Sequence, residues 1–382
     1  MKKKVYTALG LMTGTSIDGV DLSLIKSDGL TEFSSILNYY YKFDLNLRDK
    51  LINLRDKIFT KNDLEKYSDE IGLLEKEITF FHSRIIDEII KKRNYSIDLI
   101  GFHGQTIFHD SGERISRQLG DGKLLSQITR KIVVNNFRKQ DLINEGEGAP
   151  LTPIFHKLIC QKLIKEFNLT YPINIINIGG ITNITQIIND DTSNEKFYAY
   201  DIGPGNCLID KWVRQNSKKS FDENGEIAKL GVANELIFNQ AVDNFEIKSY
   251  EKSLDVNDFD LSFVKGLCLE DGCATLTKFT AYLIANGIKD INKMKNLNPV
   301  NNFVCGGGRK NNILIKQINE FLKNMKISLR NIDEFGFDGD FIESQAFGYL
   351  SVRSFLNLPN SFPTTTRCNK PTVGGIINKN YI

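Results

Sequence analysis

The sequence predicts an α/β protein of two lobes, each a mixed sheet flanked by helices. Three observations carry that expectation. At 382 residues, 41% of them hydrophobic, the chain is too long for one comfortable core and apolar enough for two. An apolar strand, a small-residue turn and an alternating strand occur at Ala8 to Gly29 and again at Pro172 to Ile188, an internal echo that suggests one topology used twice. Strands also run into glycines that open helices, at Asp201 to Asn206 and at Cys305 to Arg309. In open α/β sheets such strand ends face the ligand crevice.

The charge balance narrows the partner. With 49 Lys+Arg against 47 Asp+Glu the formal net charge is +2, which leaves no electrostatic footprint for nucleic acid or a membrane surface. A small molecule is expected instead. Six cysteines without a CxxC pair, and no long apolar run after Met1, fit a reducing cytoplasm. Four histidines without HxxxH or HExxH spacing argue against zinc. The abundance of Asn, Ile and Lys reads as base composition rather than chemistry.

Taken in order, Ala8 to Met12 meets the turn Thr13-Gly14-Thr15-Ser16, and Val20 to Ile25 alternates back as a half-buried strand. The hairpin tip is phosphate-sized. Glycine lets backbone N–H groups approach an anion, the hydroxyls add donors, and Asp18 could hold a hydrated cation against it. The competing reading is an ordinary tight hairpin. Glu32 to Phe43 supplies a third strand. From Thr60, with Asp63 as capping-box partner, apolar residues from Leu64 to Ile89 recur at steps of three and four and predict one long helix. His82 and Arg84 fall on its solvated flank.

Ser96 to His103 reads as a buried strand ending in Gly104-Gln105-Thr106. His103 either orients a substrate hydroxyl or closes a buried hydrogen-bond network. Gln118 to Gly122 is a turn and Lys131 to Phe137 a strand, followed by Arg138, Asp141 and the loop Glu145 to Pro150. Arg138 and Asp141 are rim charges or ligands for a polar substrate. Leu151 to Phe167 is a helix with Lys157, Lys162 and Lys165 outside. In the second lobe, Phe197 to Asp201 is a strand ending at a carboxylate that faces Gly203, Gly205 and Asn206. That is either a phosphoryl site on helix-terminal N–H donors or a plain cap. Residues 218 to 260 carry no readable signal. Asp271 to Ile288 is a helix, and Gly306, Gly307 and Gly308 after strand Asn302 to Cys305 let a flat ring such as adenine lie on bare backbone. Asp340 to Phe355 is a helix carrying Glu343.

The three glycine-bearing turns match the phosphate and adenosine elements of the sugar-kinase, actin and heat-shock ATPase superfamily. More narrowly, GLMTGTSIDGVD (10 to 21), GFHGQTIFH (101 to 109), FRKQD (137 to 141), GEGAPLTP (146 to 153), NIGGITN (177 to 183), DIGPGN (201 to 206), CGGGRKN (305 to 311) and FIESQAFGYL (341 to 350) resemble the anhydro-N-acetylmuramic acid kinases. Thr13 stands where that family usually has Ser, and Glu147 where it usually has Gln. The resemblance implies ribonuclease-H-like sheets in an actin-like ATPase fold, with ATP in the interlobe cleft. Residues 1–149 would form the first lobe, with 345–382 packing back on it, and 150–344 the second. It implies ATP with Mg²⁺ held by Thr13, Gly14, Thr15, Ser16, Ile17, Asp18, Gly19, Val20, Gly203, Gly205, Asn206, Gly306, Gly307 and Gly308, with Asp18 on the metal. Asp201 would be the general base, and His103, Gln105, Arg138, Asp141 and Glu343 would face an amino sugar whose 1,6-anhydro ring is opened as O6 is phosphorylated. A cytoplasmic homodimer is the expected assembly. The competing readings are an ordinary kinase of another amino sugar and a conformational ATPase of the actin or chaperone kind.

Overall fold

Alternating apolar residues at the start of the chain pair as an antiparallel meander of β1 (Tyr6–Met12), β2 (Gly19–Ser27) and β3 (Phe33–Lys42). On the other side of β1, β4 (Leu99–Phe102) adds in parallel. A separate hairpin, β5 (Gln105–Asp110) and β6 (Ile115–Leu119), precedes β7 (Ile132–Asn135), which extends the sheet in parallel beside β4. These features come from a computed structural model that describes residues 4–381 except 15, 94, 190–195, 246–248, 251–253, 255, 298–299 and 326.

The same order recurs further on. There β8 (Ile173–Ile178), β9 (Ile181–Ile187) and β10 (Phe197–Pro204) form a meander, and β11 (Asn301–Cys305) and β12 (Leu329–Asn331) add in parallel beyond β8. The second sheet reads β10-β9-β8-β11-β12, and the first reads β3-β2-β1-β4-β7 before β13 (Ile376–Asn378) closes its far edge. The chain divides accordingly into two units, Met1–Ile159 with Phe341–Ile382, and Cys160–Asp340.

Helix Ile342–Phe355 lies almost on the backbone of the first sheet. A Cβ at Gly10 would sit 1.8 Å from Ser344 O, and one at Gly101 would sit 2.1 Å from Phe347 O, so only glycine admits this approach. The close seat fixes the first turn of that helix, and with it Glu343, against the end of the sheet. In the second unit, β8 is buried at every position, as a strand covered on both faces should be. Its Asn174 is fully buried and donates to Asn292 Oδ1 (3.0 Å) and Asn302 Oδ1 (2.9 Å), while Gln186 Nε2 also reaches Asn292 Oδ1 (3.1 Å). Some of the abundant asparagine is therefore structural, contrary to the compositional reading.

Five further expectations are corrected. The long helix from Thr60 is two helices, Lys61–Lys66 and Ser68–Arg93, broken where Tyr67 leaves helical geometry at φ −104 and ψ 22; the Thr60–Asp63 capping box is present. His82 is buried rather than solvated, because the sheet covers that flank: Nδ1 donates to Ile78 O at 2.7 Å and the ring lies 4.8 Å from that of Phe102. Lys157 is buried as well. Gln118 and Leu119 belong to β6, and Asp121 caps a helix, Gly122–Thr129, that turn composition concealed. Residues 218–260, silent in sequence, hold helices Glu226–Leu230 and Glu235–Asn244.

Candidate active site

In the first unit the glycines of the β1–β2 turn divide by role. A Cβ at Gly19 would meet Tyr41 O at 2.4 Å, so this glycine serves sheet pairing, whereas a Cβ at Gly14 would meet only Ser16 Oγ, at 3.8 Å. Gly14 borders open space. Ile17 takes the left-handed conformation (φ 52), and its N–H donates to Gly14 O at 3.3 Å. Its side chain and that of Val20 are buried in the core, so both can offer a ligand only backbone. Ser16 Oγ donates to Asp18 Oδ1 at 2.7 Å and Asp18 O accepts from Phe43 N at 2.9 Å, which ties the tip to the end of β3. Thr15 lies outside the described residues.

From this turn a hydrogen-bond chain runs through the sugar-side candidates. Gly104 O accepts from Thr13 Oγ1 and from His103 Nδ1 (2.7 Å). Arg138 Nη2 donates to His103 Nε2 at 3.1 Å, which requires the Nδ1–H tautomer. Arg138 Nη1 donates to Gly148 O at 3.0 Å. Asp141, fully buried, accepts from Gly148 N (2.7 Å) and from Thr366 Oγ1 (2.6 Å). Gln105 Nε2 donates to Gly14 O at 3.2 Å.

The chain brings His103, Gln105, Arg138 and Asp141 together but gives them unequal places. Both nitrogens of His103 face protein partners, and each oxygen of Asp141 accepts one hydrogen bond from the protein, so both residues help to shape this loop. Gln105 Oε1 and Arg138 Nε differ: each is buried without a hydrogen-bond partner among the described residues. A buried polar atom left so costs about 1–3 kcal/mol, which a polar ligand would recover. Glu343 joins them through charge. Burial holds its carboxyl above the usual range, and the Arg138 guanidinium pulls it back.

Burial also depresses all four histidines, to about 4 for His82, 3 for His103, 4 for His109 and 3 for His156. An unfolded histidine binds its proton near 6.5, so between that pH and these values the unfolded chain holds more protons. Stability is therefore full above about pH 6.5 and falls as the solution is acidified, by on the order of 1 kcal/mol per histidine at pH 5.5. Melting followed by circular dichroism should show a plateau at pH 7–8 and a marked drop by pH 5.5. A melting temperature unchanged down to pH 4.5 would contradict the neutral, buried state of these rings.

In the second unit, Asp201 lies within β10 rather than at its end. The strand continues to Pro204 through a bulge between Asp201 and Gly203, which shifts the pairing with β9 and re-aims the backbone beside the carboxylate. Asp201 Oδ2 accepts from Leu254 N at 2.9 Å. The following turn docks on the β8–β9 tip: Gly205 N donates to Gly180 O and Asn206 N to Gly179 O, both at 2.8 Å, and a Cβ at Gly205 would lie 2.2 Å from Gly179 O. The third glycine motif is adjacent. A Cβ at Gly307 would meet only Asn206 Nδ2, at 3.9 Å, while one at Gly308 would meet Ile178 Cγ2 at 2.2 Å and Gly306 holds φ +79. The β8–β9 tip, which the sequence offered only as a mirrored hairpin, thus seats both motifs: Gly179 and Gly180 hold the Gly205–Asn206 turn, and Ile178 backs the Gly306–Gly308 junction.

The model of the family described as anhydro-N-acetylmuramic acid kinase matches residues 6–380. A curated anhydro-N-acetylmuramic acid kinase of Pelagibacter ubique (strain HTCC1062) is 50% identical over 382 residues, covering 99% of this chain and 100% of its own. The one of Rhodopseudomonas palustris (strain ATCC BAA-98 / CGA009) is 35% identical, covering 98% and 99%. Among solved structures, a ROK family glucokinase from Streptomyces griseus in complex with glucose and AMPPNP is similar at a TM-score of 0.40 and 10% identity, covering 90% of this chain and 99% of that one.

Proposed function

The chain belongs to the anhydro-N-acetylmuramic acid kinase family, and on that premise we propose how its residues carry the reaction. The enzyme opens the 1,6-anhydro ring of N-acetylmuramic acid with water and phosphorylates the freed O6, giving N-acetylmuramate 6-phosphate and ADP in peptidoglycan recycling. This activity displaces the ordinary amino-sugar kinase and the conformational ATPase as readings.

The observation that carries the residue assignment is that β10 joins a carboxylate to a phosphate-sized turn on one strand, Asp201 leading through the bulge to Gly205 and Asn206. Asp201 takes the proton from the water that attacks C1. The C1–O6 bond breaks, O6 attacks the terminal phosphorus, and ADP leaves. Arg138 Nε and Gln105 Oε1, the buried atoms without partners, bind sugar oxygens or the acetamido group, and Glu343 orients beside Arg138. His103 and Asp141 hold Arg138 and the loop at Gly148 in place.

Phosphate oxygens are received at the open face of Gly14 by the backbone of Thr13 to Val20, and by Gly203, Gly205 and Asn206, while Gly306, Gly307 and Gly308 receive the nucleoside. Asp18 would hold Mg²⁺, which when bound neutralises phosphate charge. Among the described residues no group of three or more His, Cys, Asp or Glu gathers as a metal cage. A magnesium ion held by one carboxylate, phosphate oxygens and water has no need of one. No helix among the described residues is long and apolar enough to cross a membrane. The free state of all six cysteines, five of them buried, supports a reducing cytoplasm, and we read the working assembly as a homodimer.

Mass spectrometry of the sugar product, with purified protein, Mg-ATP and 1,6-anhydro-N-acetylmuramic acid, tests the reaction. The product should carry one phosphoryl group and one added water. A phosphorylated sugar that keeps its anhydro bridge would overturn ring opening.

A further inference from the structure

We propose that Arg309 is a positioning residue for the nucleoside, a guanidinium that holds the Gly306–Gly308 junction in its receiving shape and is itself anchored by the loop 333–340. The inference rests on reading that junction as the nucleoside site.

Arg309 follows the three glycines, yet its side chain is 3% exposed while that of the neighbouring Lys310 is 54% exposed. The guanidinium turns back under its own turn. Nη1 donates to Gly306 O at 3.1 Å and to Asp340 Oδ1 at 2.6 Å, and Nε donates to Asp333 Oδ1 and Oδ2 at 3.1 and 2.9 Å. One rigid fork therefore grips both the junction and the loop. The loop is shaped to fit it: Gly339 N donates to Asp333 Oδ1 at 2.7 Å, Gly306 N donates to Gly339 O at 3.0 Å, and a Cβ at Gly339 would lie 2.5 Å from Arg309 Nε.

These contacts converge on one residue. Gly306 sits in the left-handed region at φ +79, and both its N–H and its carbonyl are held, the first by Gly339 and the second by Arg309. At the next residue, Gly307, a Cβ would meet only Asn206 Nδ2, at 3.9 Å, so the backbone there leaves room for a flat ring. Fixing the backbone on both sides of Gly306 before the ligand arrives lowers the ordering cost of binding. Stability alone is a poor reason for the cluster, since burying a guanidinium among carboxylates repays its desolvation only with excellent geometry. Lysine cannot take the same place, because a single ammonium on a flexible stem lacks the planar fork that meets Asp333, Asp340 and Gly306 together.

Steady-state kinetics of the full-length enzyme, with ATP and the anhydro sugar varied separately, tests this. Arg309→Lys should raise KM for ATP about tenfold or more, with kcat and KM for the sugar within about twofold of wild type. Asp340→Asn, which weakens the anchor and leaves the guanidinium in place, should raise KM for ATP by a smaller factor and decides the matter if Arg309→Lys does not fold. Lys310→Ala removes an exposed charge that also pairs with Asp340, and should leave KM for ATP unchanged. A folded Arg309→Lys with wild-type KM for ATP would overturn the proposal, as would equal rises in both KM values. A wild-type enzyme whose rate does not saturate with ATP would instead sink the nucleotide reading itself.

Discussion

Asp201→Asn is expected to lower kcat by a factor on the order of 10²–10⁴ while leaving ATP affinity and melting temperature near wild type. The size follows from losing a positioned base: asparagine keeps the shape of the side chain but cannot take a proton from the attacking water. The selectivity follows from the local geometry. Asp201 accepts a backbone hydrogen bond from Leu254 N at 2.9 Å, and the amide oxygen of asparagine can accept the same bond, so the segment around Leu254 stays attached. The bulge after Asp201 is a backbone feature, and Gly205 and Asn206 beyond it are held by the carbonyls of Gly180 and Gly179 rather than by the carboxylate. Calorimetry with ATP and single-turnover kinetics separate the two quantities. A variant with near-normal turnover would remove Asp201 from the role of base, and one that binds no ATP would show that the carboxylate shapes the phosphate turn instead.

Features set by short-range chemistry were legible before any coordinates. Glycine and hydroxyl residues at a strand break mark a tight turn whatever surrounds it, so the β1–β2 tip, the Gly203 to Asn206 turn and the Gly306 to Gly308 junction all stood out, and two copies of one strand pattern foretold two sheets of one order. Features set by distant partners were not legible. His82 reads as a polar flank residue until Phe102 and the sheet cover it. Asp141 reads as a rim charge or a ligand, and its burial and its bond from Thr366, at the far end of the chain, could not be seen from its neighbours in sequence. The burial of Arg309 had no signal in the sequence, because the carboxylates that hold it come from the separate loop 333–340. The break at Tyr67 escaped for another reason: the apolar spacing passes through it without a change of phase, so periodicity alone sees one helix.

Gly14→Val is expected to fold with a melting temperature close to wild type and to bind ATP at least about a hundredfold more weakly. Both halves come from where the side chain would go. At Gly14 a Cβ meets nothing nearer than Ser16 Oγ at 3.8 Å, and the hydrogen bonds to this residue, from Ile17 N and Gln105 Nε2, reach its carbonyl oxygen and are untouched by a side chain. Gly10, two turns of the pleat earlier on the same hairpin, gives the contrast. There a Cβ would lie 1.8 Å from Ser344 O, so Gly10→Ala must push helix Ile342–Phe355 off the sheet and should destabilise the first unit outright. On the proposed reading, the room beside Gly14 is the space of a phosphate. A branched side chain there occupies the volume of a phosphate oxygen and covers the N–H groups that would bind it, a loss on the order of 3 kcal/mol for the hundredfold change. Calorimetric titration of both variants with ATP, beside their melting curves, checks the pair. Full ATP affinity in a folded Gly14→Val protein would remove the phosphate from this turn, and a melting temperature as low as that of Gly10→Ala would show that Gly14, too, is there for packing.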